Sequence, residues 1–334
     1  MTIRQHYVPA GYLAGFTVGG KRDSLFFVHS LAGSPVRQDK PDNVAFERDY
    51  NSVDVDGLPK DHLEAIFSTE FEGPACALFK NLSANPRPFA TEEEISIAIK
   101  FLALQAARVP LSKEKYERLI IENGRQFLNK VADVPEFVQG LVDSGALDRS
   151  EIETLHQGPP LRDLVESDEI QTEADKTGLS VGILHLTSAI VDQIVSMKVT
   201  LWIASGPDWF ICSDHPVAMF YTMSGDVFVD PMALENPTVE LFADSIYMPI
   251  AKNVALVMHQ LSDVPPAQPA HQQMVALVNT MTIMHAQRNI FSCTEDFICL
   301  LPTGAIGNAQ QSIEALRLFR AATGSKDPVS ALTR

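Results

Sequence analysis

The sequence predicts an α+β protein in which central buried helices pack with a mostly antiparallel sheet. Three observations predict it. Short strand-like runs cluster near the N-terminus, a long helical stretch follows, and a β-rich section closes with helices. Strands and helices are thus segregated and do not alternate as in βαβ units.

HYVPAGYLAGF (6–16) reads as a short helix entered through Pro9, with Tyr12, Leu13 and Phe16 on one side. SLFFVHS (24–30) and parts of VAFERDYNSVDVD (44–56) read as strands of a small antiparallel sheet. Asp61 is placed to cap a helix running to about Leu82, with a stripe of Leu63, Ile66, Phe67, Glu70, Pro74, Ala77 and Leu78. Pro74 implies a kink. Thr91 with Glu94 forms a capping-box pattern ahead of a helix apolar on nearly every face through Ala107, the signature of a buried central helix. Pro110 bends or ends it.

Charged helical sequence runs on to about Asn129, where Glu114–Arg118 pairing supports a solvated face, and helices are expected near 135–143 and 149–156. A helix over 178–198 leads to VTLWIAS and DWFICSD, which read as a hairpin across Gly206-Pro207. VAMFYTM, GDVFVDP, SIYMPIA and NVALVMH continue the β section. An apolar helix over 269–286 carries Asn279, the strand NIFSC follows, and a last helix covers 310–322. The expected organisation is a first half over 1–156, an acidic connection at 157–177, a β-rich half over 178–322 integrated with the first, and a disordered tail at 323–334.

Composition narrows the function classes. The formal net charge is −16. Residues 1–150 hold 17 Lys+Arg against 21 Asp+Glu, a net of −4, and residues 151–334 hold 9 against 21, a net of −12. That balance gives no broad footprint for duplex DNA or an anionic membrane, so a small anionic ligand is expected ahead of long nucleic acid. No apolar run reaches a membrane span of roughly 18 residues, and the N-terminus lacks a signal-peptide pattern. A cytoplasmic location is expected. Cys76, Cys212, Cys293 and Cys299 match no zinc spacing and read as reduced thiols. The sequence leaves the oligomeric state open.

No phosphate-binding glycine loop, HExxH or GxSxG is present. The chemistry-bearing candidates are polar residues in core-like segments, where burial costs free energy unless the groups are paired. His6 is a candidate general acid or base, or a tie from the N-terminal arm to the core. Glu70 on its apolar stripe suggests a buried pair with Arg108, and that pair could be purely structural. Otherwise the planar fork of Arg108 suits a carboxylate or phosphate, with Gln105 orienting the same ligand and Tyr12 adding a contact. Asp214, after the strand-like WFICS, is placed for base or metal chemistry or for an Asx turn. Glu64 or Glu70 joins Asp214 as a candidate catalytic base or as a ligand for Mg²⁺ or Mn²⁺. Asn279 reads as an interhelical hydrogen bond, and Arg288 as a carbonyl cap.

With these residues in view, the chain resembles a mostly bacterial family known as domain of unknown function 4238. The resemblance runs through HYVPAGYLAGF, LEAIFSTEFEGPA, FLALQAARVP, SDHPVAMF, YMPIAKNVAL and VNTMTIMHAQRNIFS. It departs near 45–53, where an aromatic pair is expected and Tyr50 is followed by Asn51. The resemblance implies that His6, Glu70, Gln105, Arg108 and Asp214 form one physical set, and it implies no reaction. Two functions from different classes follow as expectations. One is a hydrolase on a phosphate- or carboxylate-bearing substrate, with nuclease or nucleotide hydrolysis as its most testable form. The other is a non-enzymatic binding module such as a sensor or a defence or toxin-type component.

Overall fold

The computed structural model describes residues 4–131, 134–144, 163, 166–167, 173–223, 227–229, 244–260, 263–301 and 303–323. The chain divides into two compact units, Met1–Ser112 with Ser180–Arg334, and Lys113–Leu179. The fold is α+β, with mostly antiparallel sheets. The expected helix near 149–156, most of the acidic connection and the tail after 323 lie outside the described residues.

In the larger unit, strand β1 (Arg4–His6) leads through Pro9 into α1 (Ala10–Leu13) and a 3₁₀ turn, Ala14–Phe16. Proline has no N–H to give to a strand and its fixed φ suits a helix start, so the helix begins at Ala10 and His6 stays on the strand. Tyr12, Leu13 and Phe16 are buried together as their spacing predicts. Strands β2 (Phe26–Ser30), β3 (Arg37–Asp39) and β4 (Phe46–Arg48) follow. They do not make one small sheet. β1 pairs with β4, setting His6 opposite Phe46, while β2 and β3 belong to a sheet completed by strands from the far end of the chain.

The helix expected over 61–82 is broken in its middle. A short α2 (His62–Ile66) widens into a π-helical turn over Phe67–Glu72 before α3 (Gly73–Ala84). Pro74 explains the widening, because it cannot donate to the carbonyl four residues back and its ring crowds that carbonyl. The wider turn shifts the inward stripe to Leu63, Phe67, Ala75, Leu78, Phe79 and Leu82. Glu70, Pro74 and Ala77 are exposed, which corrects the inward stripe expected for them.

Helix α4 (Glu92–Arg108) is buried over its second half. Thr91 Oγ1 accepts from the Glu94 amide at 3.2 Å. The Glu94 carboxylate does not return to Thr91. It accepts from the Ala90 amide and from both terminal nitrogens of Arg87, which hold its carboxyl down to about 2. Thr91→Ala is expected to cost about 1 kcal/mol, read from the urea midpoint; an unchanged midpoint would show the cap to be idle. α4 ends at Arg108 and a new helix, α5 (Pro110–Val131), starts at the proline.

Within the smaller unit, α5 and α6 (Pro135–Asp143) bring Phe127 edge-on to Phe137 at 5.5 Å between ring centres. Glu114 and Arg118 meet at 3.9 Å on an exposed face.

Helix α7 (Lys176–Ile194) precedes the β section: β5 (Lys198–Ile203), β6 (Cys212–Ser213), β7 (Ala218–Met223), β8 (Val227–Val229), β9 (Ser245–Ala251), β10 (Val254–His259) and β11 (Ala267–Pro269). Then come α8 (Gln272–His285), β12 (Asn289–Ser292), β13 (Ile298–Leu300), β14 (Ile306–Asn308) and α9 (Ala309–Thr323). A six-stranded sheet runs β11-β5-β10-β9-β7-β8, and a four-stranded one runs β3-β2-β12-β6.

The hairpin expected across Gly206-Pro207 does not form. β5 pairs with β10 and β11 in the larger sheet, and Cys212–Ser213 pairs with β12 in the other. The turn hands the chain from one sheet to the next, held by backbone bonds from Ala204 to Asn253 and from Phe210 to Lys252.

The larger sheet is covered on both faces, which accounts for the nearly unbroken apolar runs of β9 and β10. Leu201, Met248 and Leu256 face a core shared with Phe79, Phe101 and Leu102 of α3 and α4. Trp202, Tyr247 and Val257 face Val275, Val278 and Met281 of α8. Asn279 is buried and bonds backbone, not another helix. Its Oδ1 accepts from the Ile211 amide, and its Nδ2 donates to the carbonyls of Trp209 and Ile298, each at 3.0 Å. The four cysteines are reduced thiols.

Candidate functional site

Arg108 is the last residue of α4 and is 0% exposed. A guanidinium there has lost its water and needs replacement partners for its donors. Its Nε donates to the Tyr7 carbonyl at 2.9 Å, and its Nη1 donates to Glu72 Oε1 at 2.5 Å. The amide of Gln105, oriented by its neighbours, accepts from Nε and Nη2 at 3.1 Å each and donates to the Tyr7 carbonyl at 3.2 Å. Phe67 lies beneath the guanidinium with its ring centre 5.8 Å away. Tyr50 Oη closes the helix end by donating to the Arg108 carbonyl at 2.6 Å. Every nitrogen of the fork is therefore held by protein. Arg108 organises this corner from a fully buried position.

His6 stands beside this pair. Its ring packs on Phe46 at 5.7 Å, and its Nε2 is buried without a hydrogen-bond partner among the described residues. Burial is the largest influence on the imidazole and lowers its pKa; Arg22 and Arg108 lower it further, while Asp42 and Glu72 raise it. A second polar chain links β1 to α2. Gln5 Oε1 accepts from the Asn51 amide at 2.7 Å, and Asn51 Nδ2 donates to Glu64 Oε2 at 2.9 Å. Burial raises the Glu64 carboxyl above its ordinary range, against the opposing pull of Asn51 and Arg108. The charges of Glu72 and Arg108 act on both His6 and Glu64.

Asp214 forms a separate anchor joined through Tyr7. Its Oδ1 accepts from the Gln287 amide at 2.9 Å and its Oδ2 from the Arg288 amide at 2.7 Å. The carboxylate thus holds the turn between α8 and β12. Complete burial pushes its pKa up to about 6 despite those bonds. The Arg288 side chain does not cap the helix. It reaches Glu47 of β4 at 3.1 Å and bonds the Tyr7 hydroxyl. The α8 end is capped by Arg320, whose Nη2 donates to the Ala286 carbonyl at 2.6 Å.

Placed against the expectations, His6, Gln105, Arg108 and Glu64 come together, and Asp214 reaches them through Tyr7. Glu70 is exposed, and the expected Glu70–Arg108 pair is replaced by Glu72–Arg108, with Glu72 17% exposed. Tyr12 is sealed among Phe16, Phe79 and Phe101, and its hydroxyl donates to the Pro249 carbonyl. That makes it a strut, since no polar atom of it remains for a ligand. Asp214, proposed as a base or metal ligand, has both carboxylate oxygens engaged by backbone amides. Among the described residues no group of three or more His, Cys, Asp or Glu is gathered to hold a metal ion.

Sequence reasoning missed Glu72, Gln5, Asn51, Tyr50 and Arg22. A signal existed only for Glu72: a proline two residues on warned that helical phase would slip. Arg22, Tyr50 and Asn51 lie in irregular segments and Gln5 on a three-residue strand, where no periodicity reports burial.

The model of the family described as a protein of unknown function (DUF4238) matches residues 4–296. The chain belongs to this family. No curated protein and no solved structure matches it. The matched span takes in His6, Glu64, Glu72, Gln105, Arg108, Asp214 and Arg288. It stops before α9, and membership covers both the ion-pair corner and the Asp214 anchor. Among the described residues no single helix is long and apolar enough to cross a membrane.

Proposed function

We propose that this family member is a cytoplasmic hydrolase acting on a small phosphate- or carboxylate-bearing substrate, with His6 as the proton-transferring group. One observation carries the reading: a buried imidazole nitrogen without a partner among the described residues, beside an ion pair that fixes the neighbouring backbone. A neutral imidazole at pH 7 can take a proton from an attacking water and return it to the leaving group. Arg108 is a positioning residue here. The anion-binding role passes to Arg22, 62% exposed at its side chain and close enough for its charge to reach His6, and to the exposed Arg288. Glu64 is the carboxylate that would meet Mg²⁺ or Mn²⁺ arriving with a phosphate, since Asp214 is spent on backbone.

The test is turnover of nucleotides and phosphodiesters by the purified full chain in Mg²⁺, in Mn²⁺ and in EDTA. His6→Ala is expected to lose turnover and keep its melting temperature. A parent without activity in any of these conditions, or a His6→Ala protein as active as the parent, overturns the reading.

The burial of Arg108 against Tyr7, Glu72 and Gln105 also favours a second reading, in which the corner only clamps the N-terminal arm and function resides on a binding surface. Under that reading His6→Ala lowers the melting temperature and has no turnover to lose.

A further inference from the structure

Strands β1 and β4 form a two-stranded ribbon whose register sets Arg4 directly opposite Arg48 and His6 opposite Phe46. Side chains alternate along a strand and opposed residues share a face, so Arg4, His6, Phe46 and Arg48 line one side of the ribbon. Gln5 and Glu47 line the other. Arg4 and Arg48 are exposed, and His6 and Phe46 are half-buried beside them. The Arg4 guanidinium lies over the Phe46 ring, 4.6 Å from its centre, and the His6 ring meets the same ring edge-on. The cation–π contact holds that charge over the ribbon.

Like charges directly opposite one another destabilise a sheet. Here neither arginine forms an ion pair among the described residues. Arg22 and Arg288, by contrast, each meet a carboxylate, Asp42 at 2.5 Å and Glu47 at 3.1 Å. The chain carries 42 acidic residues against 26 basic ones, so carboxylates are plentiful and this pair stands without one. The backbone fixes the display. Two non-glycine residues in the left-handed region bound β4, Ala45 at φ 50° and Asp49 at φ 53°. The Ala45 carbonyl accepts from the amides of Tyr7 and Val8 at 3.0 and 3.4 Å, which ties the start of β4 to the end of β1. A slip of β4 by one residue would carry Arg48 to the other face, so this tie keeps the two arginines opposed.

We infer that Arg4 and Arg48 form a binding site for a dianionic phosphate group, free or as a phosphomonoester. Two facing guanidinium groups offer two charges and two planar sets of donors, which match the charge and the oxygens of a phosphate dianion. A carboxylate brings one charge to a site with two. A phosphate bound there lies on the same face as the His6 imidazole. The site does not rest on the hydrolase reading, because binding alone reports it.

The experiment is isothermal titration calorimetry on the full chain at pH 8, where a phosphomonoester is a dianion, with phenyl phosphate, inorganic phosphate and benzoate as probes. Both phosphates are expected to bind more tightly than benzoate, and to weaken as salt is raised because the site is exposed. Tighter binding of phenyl phosphate than of inorganic phosphate identifies a monoester as the ligand; equal binding identifies the phosphate group alone. Arg4→Gln and Arg48→Gln are each expected to weaken binding by about 5-fold, the upper end for exposed ion pairs. Arg48→Glu gives Arg4 a carboxylate opposite it, so the melting temperature should hold or rise while phosphate binding is lost. That combination separates a lost site from a damaged fold. No binding of either phosphate, benzoate bound as tightly as phosphate, or an Arg48→Glu or Arg48→Gln protein that binds phosphate like the parent would each overturn the site. A parent that binds phosphate and turns over nothing would keep this site and overturn the hydrolase reading alone.

Discussion

Arg108→Met is expected to destabilise the protein by about 3–5 kcal/mol, the cost of breaking a buried ion pair from one side. Methionine fills most of the volume, so the loss is electrostatic. The Glu72 carboxylate and the Gln105 amide oxygen would lose their arginine donors, and the Tyr7 carbonyl would keep only the Gln105 amide. Arg108→Lys should rescue little, because one ammonium cannot span three acceptors arranged for a planar fork. Adding Glu72→Leu to Arg108→Met should recover part of the loss, since an apolar pair removes the uncompensated charge. Urea denaturation at pH 7 measures all four proteins. An Arg108→Met midpoint shift worth less than about 1 kcal/mol would show that the fork is not what holds β1 to α4.

That result depends on a partner the sequence hid, and the reason is local. Periodicity read α4 correctly because nothing disturbs its 3.6-residue phase from Thr91 to Arg108, so Arg108 and Gln105 were legible as buried polar groups. In the preceding helix Pro74 forces a wide turn, and the carboxylate that faces inward moves from Glu70 to Glu72. His6 was legible through its setting before Pro9. Asn51 and Gln5 were not, because a loop amide and a three-residue strand give no pattern to read. The β section shows the same division. β9 and β10 were legible as strands from their apolar runs, yet the two runs flanking Gly206-Pro207 joined different sheets. A turn motif says that the chain reverses; it does not say which strand the next segment will find.

The Asp214 anchor offers the second large effect, and its sign with pH is specific. At pH 7, Asp214→Ala is expected to cost about 2–3 kcal/mol, because the amides of Gln287 and Arg288 lose their acceptor inside the fold. Part of that cost is offset at neutral pH, since the parent buries an ionised carboxylate. Its pKa is about 6 in the folded chain against an ordinary 3.8. As pH falls through 6 toward 3.8, the folded state takes up a proton that the unfolded state does not, so this group adds stability on acidification. The gap between parent and Asp214→Ala should therefore widen from pH 8 to pH 5, when other titrating groups cancel in the difference. Asp214→Asn, which supplies one neutral acceptor, should lie between the two at pH 8 and fall further behind the parent as the pH drops. A gap that narrows on acidification would mean that the backbone bonds outweigh burial and that the carboxyl titrates low. Because Arg288 follows directly from the capped amide and bonds both Tyr7 and Glu47, loss of Asp214 should also displace that arginine. A weakened KM with an unchanged melting temperature in Arg288→Ala would then separate substrate contact from the anchor itself.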